Sequence, residues 1–294
     1  MNDKSISVWI RSALVLLGVT LLIIIGILMS ASAEDGGRAD NSLPLKRKPI
    51  RQPIEYELDC LDDENDFGTN PFIEFGKALE DATMEQLEVK VSVAEEEKCG
   101  DALLKSQREK YEFIETGDDV ARLNAMLTKL VAQIPSPKGF HYAIHLIKSD
   151  ELNAYTAGAE IFVTTRMMEF VISDDELACI LGHEIYHNDL GHIKQKLQKE
   201  KLLTSIGAAI SEIMTTPFGQ HDEAMCDLKG IDLVFSAGWD GCATVDLWKR
   251  FKEESQEGEF NPVENLLRSH PYSASRSECS GKHIVHNYGF ECSH

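Results

Sequence analysis

Basic residues are scarce in this 294-residue sequence: 29 Lys and Arg stand against 49 Asp and Glu, a net charge of −20. Nucleic-acid phosphates and anionic lipid headgroups are held by clustered Lys and Arg. The balance therefore argues against a nucleic-acid partner and against docking on anionic lipid. No C-x-x-C pair occurs among the seven cysteines, so neither a thiolate zinc site nor a thioredoxin-type redox motif is supported. Internal repeats are absent, and only one apolar run approaches the length of a membrane span. With 43% apolar and 27% charged residues, the composition excludes a collagen-like, disordered or multispanning chain. What is there is enough chain for a sizeable core, in one large domain or two small ones, with one unusual end.

That end is the N-terminus. Lys4 and Arg11 precede an uncharged apolar run inside residues 12–29, from Ala13 to Met29, and Ser30-Ala31-Ser32-Ala33 follows. A positive start, an apolar run and an A-x-A site describe a secretory signal peptide cut after Ala33. The run is also nearly long enough to span a bilayer of about 30 Å, so an uncleaved anchor remains an alternative, with membrane association through residues 12–29. Both readings place everything after residue 33 outside the cytoplasm, in a periplasmic or other extracytoplasmic space. Removing residues 1–33 takes away Asp3, Lys4 and Arg11, so the acidity belongs to the exported part, at 27 − 48 = −21.

All seven cysteines follow that segment: Cys60, Cys99, Cys179, Cys226, Cys242, Cys279 and Cys292. An oxidising compartment allows an even subset to pair. The loop-like sequence around them suggests Cys60 with Cys99 and Cys279 with Cys292. Cys179 and Cys226 sit in apolar helical stretches and read as small core hydrophobes.

Residues 34–75 form a polar, acidic tether carrying Pro44, Pro49 and Pro53. From about 76 to 134 apolar residues recur at three- and four-residue spacing, which predicts helices, and Pro135-Ser136-Pro137 stops the last of them. His141–Ile147, Asn153–Gly158 and Glu160–Thr165 read as short strands. Ser173 and Glu176 fit a capping box opening a helix over 174 to about 190. Further helices are expected at about 193–214, 221–236 and 241–254. The predicted fold class is α+β, mostly helical, with one small sheet.

The chemistry lies on the helix opened by Ser173, which carries His183-Glu184-Ile185-Tyr186-His187. Residues i and i+4 share a helical face, so two imidazoles can hold one zinc ion, and Glu184 can take a proton from a zinc-bound water. Leu177, Ile180, Leu181 and Ile185 make this helix half-buried, so its polar residues need partners. His192 stands nine residues after His183. On a continuous helix that is about 180° round the axis, which makes it a poor ligand and an ordinary helix-end histidine. A third ligand must come from elsewhere. Glu223 and Asp227 share one face of the next helix, so Glu223 can ligate while Asp227 accepts the other N–H of a zinc-bound histidine. A merely solvated acidic face is the alternative, and Met225, Leu228, Ile231 and Leu233 argue for burial.

In the order of its elements the sequence resembles metallopeptidase family 48, zinc endopeptidases that include the CAAX prenyl protease and HtpX-like bacterial proteases. The elements are Asn153-Ala154-Tyr155 with Ile161-Phe162-Val163; His183-Glu184-x-x-His187 with His192; Glu223, Asp227 and Gly230; Ala237-Gly238-Trp239-Asp240 with Leu247-Trp248; and His270-Pro271 with Arg276. With at most one membrane span, the chain is similar to an exported, single-domain branch. The resemblance implies a zincin-like metallopeptidase domain over 76–294 and one zinc ion held by His183, His187 and Glu223. It also implies that Glu184 is catalytic and that the substrates are proteins or peptides. Ile161, Phe162 and Val163 are expected to bind the substrate backbone as an edge strand. His270, Tyr272 and Arg276 are candidates for the cleft or for stabilising the oxyanion, with the alternative that Arg276 pairs with an acid and His270 caps a helix, and His270 is also placed to fill the open zinc position. Where the family usually has a Gly-Gly pair before the strand, this sequence has Ala159 and Glu160. The implied function is an exported zinc metalloendopeptidase of protein quality control, with a zinc-stabilised chaperone-like or binding module as the alternative.

Overall fold

The computed structural model describes residues 53–61, 90–203, 217–256, 270 and 274–292. The N-terminal apolar run and Tyr272 lie outside the described residues, and so do residues 76–89 and 204–214 of the expected helices. In chain order the elements are a 3-10 turn at Asp59–Leu61, α1 (Val93–Lys110), β1 (Phe113–Ile114), α2 (Asp118–Val131), β2 (Ala143–Ile147), β3 (Ala154–Ala157) and β4 (Glu160–Thr164). They continue with α3 (Thr165–Phe170), α4 (Asp174–Asp189), α5 (His192–Leu203), α6 (Gln220–Ser236), α7 (Ala243–Gln256) and α8 (Ala274–Tyr288). The architecture is the expected mostly helical α+β fold.

The four strands form one sheet in the order β1-β2-β4-β3, with β2 and β4 parallel and the other pairs antiparallel. This corrects the expectation for Ile161, Phe162 and Val163. Strand β4 is central, its backbone groups are committed to β2 on one side and β3 on the other, and it cannot pair with a substrate. The outer strand on that side is β3. The reason is burial on both faces: Ile161 and Val163 join one core cluster with Leu123, Leu127, Leu181 and Trp248, while Phe162 joins another with Leu103, Tyr155, Ile193 and Leu197. A strand covered on both sides reads as a continuous apolar run, as E-I-F-V-T does.

Strands β3 and β4 meet in a two-residue turn with Gly158 at φ 55° and Ala159 at φ 73°. A Cβ on Gly158 would stand 1.9 Å from the Glu96 carbonyl oxygen, so only glycine fits there. Ala159 carries a side chain in the left-handed region, and its N–H donates to Asn188 Oδ1 at 3.0 Å. That bond ties the turn to the end of α4.

Helix α4 starts as expected, with Ser173 accepting from the Glu176 N–H at 3.2 Å. Glu176 does not close the box. It accepts the Ile172 N–H at 3.0 Å and pairs with Arg250 on α7 at 2.6 Å. From Glu176 to Asn188 every residue of α4 is buried. The helix crosses α6 at Gly182 and Gly230, where a Cβ on Gly182 would stand 3.2 Å from the Gly230 oxygen. Two glycines let the backbones approach closely enough for α6 side chains to reach those of α4.

The disulfides join Cys60 to Cys279 and Cys242 to Cys292, leaving Cys99, Cys179 and Cys226 buried and free. The pairings suggested by neighbouring loops are therefore wrong, because the partners meet through tertiary packing. Residues 53–61, inside the expected tether, lie against the domain. Leu61 is buried against Ala224 and Leu228, and Tyr56 donates to Asp232 Oδ2 at 2.7 Å.

Candidate metal centre

Two helices and one loop residue bring four donor side chains together. Helix α4 supplies His183 and His187 from adjacent turns of one face, and α6 supplies Glu223. His270 arrives from the chain ahead of α8. Nε2 of His183 lies 2.9 Å from Nε2 of His187 and 3.3 Å from Nδ1 of His270. Glu223 oxygens stand 3.4 Å from both Nε2 atoms and 3.2 Å from His270 Nδ1. Ligands of a tetrahedral zinc ion at 2.0–2.1 Å are about 3.3 Å apart, so the spacing fits zinc. The chemistry of the donors fits as well. Burial keeps His187 well below its usual pKa and therefore neutral, with a lone pair to give. Burial works against the charge of Glu223, but His270, Arg276 and His187 outweigh it and hold the carboxylate ionised.

The ligands are themselves held. Asp227 Oδ1 accepts from His183 Nδ1 at 2.8 Å, which turns the Nε2 lone pair toward the centre. Burial opposes a charge on His183, yet Asp227 and Glu223 raise its pKa to about 10; surroundings that hold a proton so firmly also hold a cation. Arg276 takes the alternative expected of it and pairs with acids. Its guanidinium is wholly buried, donates to both Asp227 oxygens at 2.7 and 2.8 Å, reaches Glu223 at 2.9 Å and stacks 3.8 Å over Trp248. With those commitments it clamps two carboxylates.

Glu184 is 2% exposed, and burial raises its pKa. Its Oε1 lies 3.5 Å from His270 Nε2, and its Oε2 has no hydrogen-bond partner among the described residues. An orphaned carboxylate oxygen beside a metal-ligating group is what a general base awaiting its proton donor requires. His270 therefore touches the base and the ligand group at once.

His192 departs from expectation. The chain turns at Leu190 and Gly191, so His192 opens α5 and does not extend α4. Its Nδ1 lies 3.1 Å from His187 Nδ1, and its Nε2 lies 3.6 Å from Asp222. With His187 Nε2 turned to the ligand group, its Nδ1–H donates to His192, which fixes the ring. Sequence reasoning missed this partnership, and it also missed Phe218, stacked 4.0 Å from His187. Nothing in the spacing signals either, because both depend on how the chain returns after α4.

Comparison with known proteins agrees with this geometry. Peptidase family M48 matches residues 118–279, which is 162 of the 294 residues. The beta-barrel assembly-enhancing protease of Yersinia pestis is 22% identical over 213 residues, 63% of this chain and 43% of that protein. The mitochondrial metalloendopeptidase OMA1 of Schizosaccharomyces pombe is 23% identical over 170 residues, 52% and 50% of the two chains. The human mitochondrial metalloendopeptidase OMA1 is 26% identical over 172 residues, 49% of this chain and 33% of its own. The matches span half or less of these relatives' length. The matched region contains His183, Glu184, His187, Glu223, Asp227, His270 and Arg276, and with its zincin-like site the chain belongs to peptidase family M48.

Proposed function

We propose that the chain is an exported zinc metalloendopeptidase that cuts protein or peptide substrates in protein quality control. The observation that carries this reading is the unpartnered Oε2 of buried Glu184 beside the converging donors of His183, His187 and Glu223. His183, His187 and Glu223 would hold one zinc ion per chain, which would supply Lewis-acid chemistry for acidifying water and polarising a carbonyl. Glu184 accepts the proton of the attacking water and delivers it to the leaving amine. Asp227 and His192 hold the two ligating rings in register, and Arg276 keeps Glu223 and Asp227 ionised and in place. Strand β3 is the edge left to pair with an extended substrate, and its first residue, Ala154, lines the same cavity as Glu184. In our reading residues 1–33 direct export or anchor the chain, residues 34–75 form the polar segment ahead of the domain, and the domain spans 76–294. Among the described residues no helix is long and apolar enough to cross a membrane.

His270 favours a second reading of the same centre. With Nδ1 among the ligand atoms and Nε2 at Glu184, it occupies the place a substrate carbonyl and its water require. A latent protease, or a zinc-stabilised chaperone-like or binding module without turnover, would look like this. Cleavage of casein by the full chain, with and without chelator, decides between them when metal content is measured on the same samples. Glu184→Gln is expected to retain zinc and to lose at least 100-fold in rate, about the contribution of a positioned general base. Release of activity in His270→Ala identifies latency. Bound zinc with no cleavage in either the parent or His270→Ala supports the binding module, and absence of bound zinc overturns both readings.

A further inference from the structure

Segment 53–61 meets the end of α8 outside the residues that the family matches, 118–279. The two are locked together. The Glu55 N–H donates to Asn287 Oδ1 at 3.0 Å, and Asn287 Nδ2 donates to the Glu55 carbonyl at 2.9 Å. Cys60–Cys279 bonds the same two elements covalently. On this frame His286, beside Asn287, faces two carboxylates from the segment. Its Nε2 lies 3.2 Å from Glu55 Oε2 and 3.8 Å from Glu57 Oε1, and the three donor atoms all lie within 4.8 Å of one another. The recess they line has room for about one water-sized body. Asp59 lines it too and adds a third negative charge. Lys282, the cation of the lining, is paired with Glu278 at 2.6 Å.

We propose that Glu55, Glu57 and His286 form a second metal site, which takes a zinc-class divalent cation with water completing its coordination. An imidazole with two carboxylates suits zinc, whereas calcium asks for six to eight oxygens. Ligands of tetrahedral zinc stand about 3.3 Å apart, which His286 and Glu55 already match. Glu57 is exposed and closes its gap by turning its side chain. The site goes beyond the protease reading and shares no residue with the centre at His183. A cation here pins residues 53–61 to the helix that carries Arg276.

The test counts zinc on the full chain by equilibrium dialysis and isothermal titration. Two ions per chain are expected in the parent and one in His286→Ala, and calcium at equal concentration should not displace the second. Glu57→Gln should weaken the second site at least about 10-fold, and it replaces His286→Ala should that variant fail to fold by circular dichroism. At about 100 times the Kd of the second site, zinc should raise the thermal midpoint of the parent about 5–10 °C above that of protein carrying one ion, and His286→Ala should lack this rise. A single ion that His286→Ala retains overturns the proposal and leaves the protease centre standing. A second ion that survives both His286→Ala and Glu57→Gln is held by scattered surface carboxylates and overturns it equally. A single ion lost in His286→Ala but kept in His187→Ala upholds the proposal and overturns the protease centre. Absence of bound zinc overturns both.

Discussion

Arg276 carries more of the centre than a residue outside the ligand set usually does. It is fully buried between Glu223 and Asp227 and bonds both carboxylates. Removing one partner from a buried ionic network leaves charges without compensation, at a cost of about 3–5 kcal/mol. Arg276→Met should lower the thermal midpoint by about 10 °C. Arg276→Lys should recover little of that, because a point charge cannot make the two parallel bonds to Asp227. The role of His192 separates from stability through metal affinity. His192→Phe should weaken zinc retention about 10- to 100-fold in a chelator competition, and His192→Gln, which keeps an acceptor for His187, should lose less. Equal loss in both variants would mean that the ring only fills space.

At the scale of elements, the crossing of α4 and α6 sets whether Glu223 reaches the histidines. Gly182 and Gly230 meet backbone to backbone, so a branched side chain must push the helices apart. Gly230→Val should cost about 1–3 kcal/mol and, unlike a remote destabilising change, should also reduce bound zinc in the folded protein. In the β3–β4 turn, Ala159 occupies a conformation that glycine adopts freely, and Ala159→Gly should stabilise the fold by up to about 1 kcal/mol in chemical denaturation. Much of this level could be read in advance. His183, Glu184 and His187 announce themselves because metal chemistry needs that spacing on one helical face, and the buried α6 face marked Glu223 and Asp227. Helix α8 gave no such signal. Its buried positions include Ser275, Arg276, Ser280 and His283, so the face that packs inward carries no apolar stripe. The central place of β4 was hidden for another reason, since strand order follows from tertiary pairing.

For the molecule as a whole, pH acts through a group far from the centre in sequence. Glu96 on α1 is buried, with Oε2 unpartnered among the described residues; burial raises its pKa from 4.5 to about 7, against the pull of Lys138 and Lys194. The folded state therefore binds more protons than the unfolded state between those values. The stability this group contributes is greatest below pH 4.5 and declines as pH rises toward 7. Glu96→Gln should raise the thermal midpoint by a few degrees at pH 8 and change it little near pH 4.5, measured on both proteins across that range. Reduction of Cys60–Cys279 and Cys242–Cys292 should lower stability by at least about 2 kcal/mol, because each bridge closes a long loop, of 219 and 50 residues in sequence separation.

The longer of these loops has a consequence for how the protein is made. Cys60 emerges during synthesis long before Cys279, and Cys99, Cys179, Cys226 and Cys242 all emerge between them. In an oxidising space the first of these thiols competes for Cys60; burial in the growing core withdraws Cys99, Cys179 and Cys226, and Cys242 is taken by Cys292. The order of events is thus constrained: α1, α4 and α6 must pack and bury their cysteines before the last helix arrives to be bonded. Oxidative refolding from the reduced chain should accumulate a Cys60–Cys99 isomer early, visible by mass spectrometry after thiol trapping, and a disulfide isomerase should speed its disappearance.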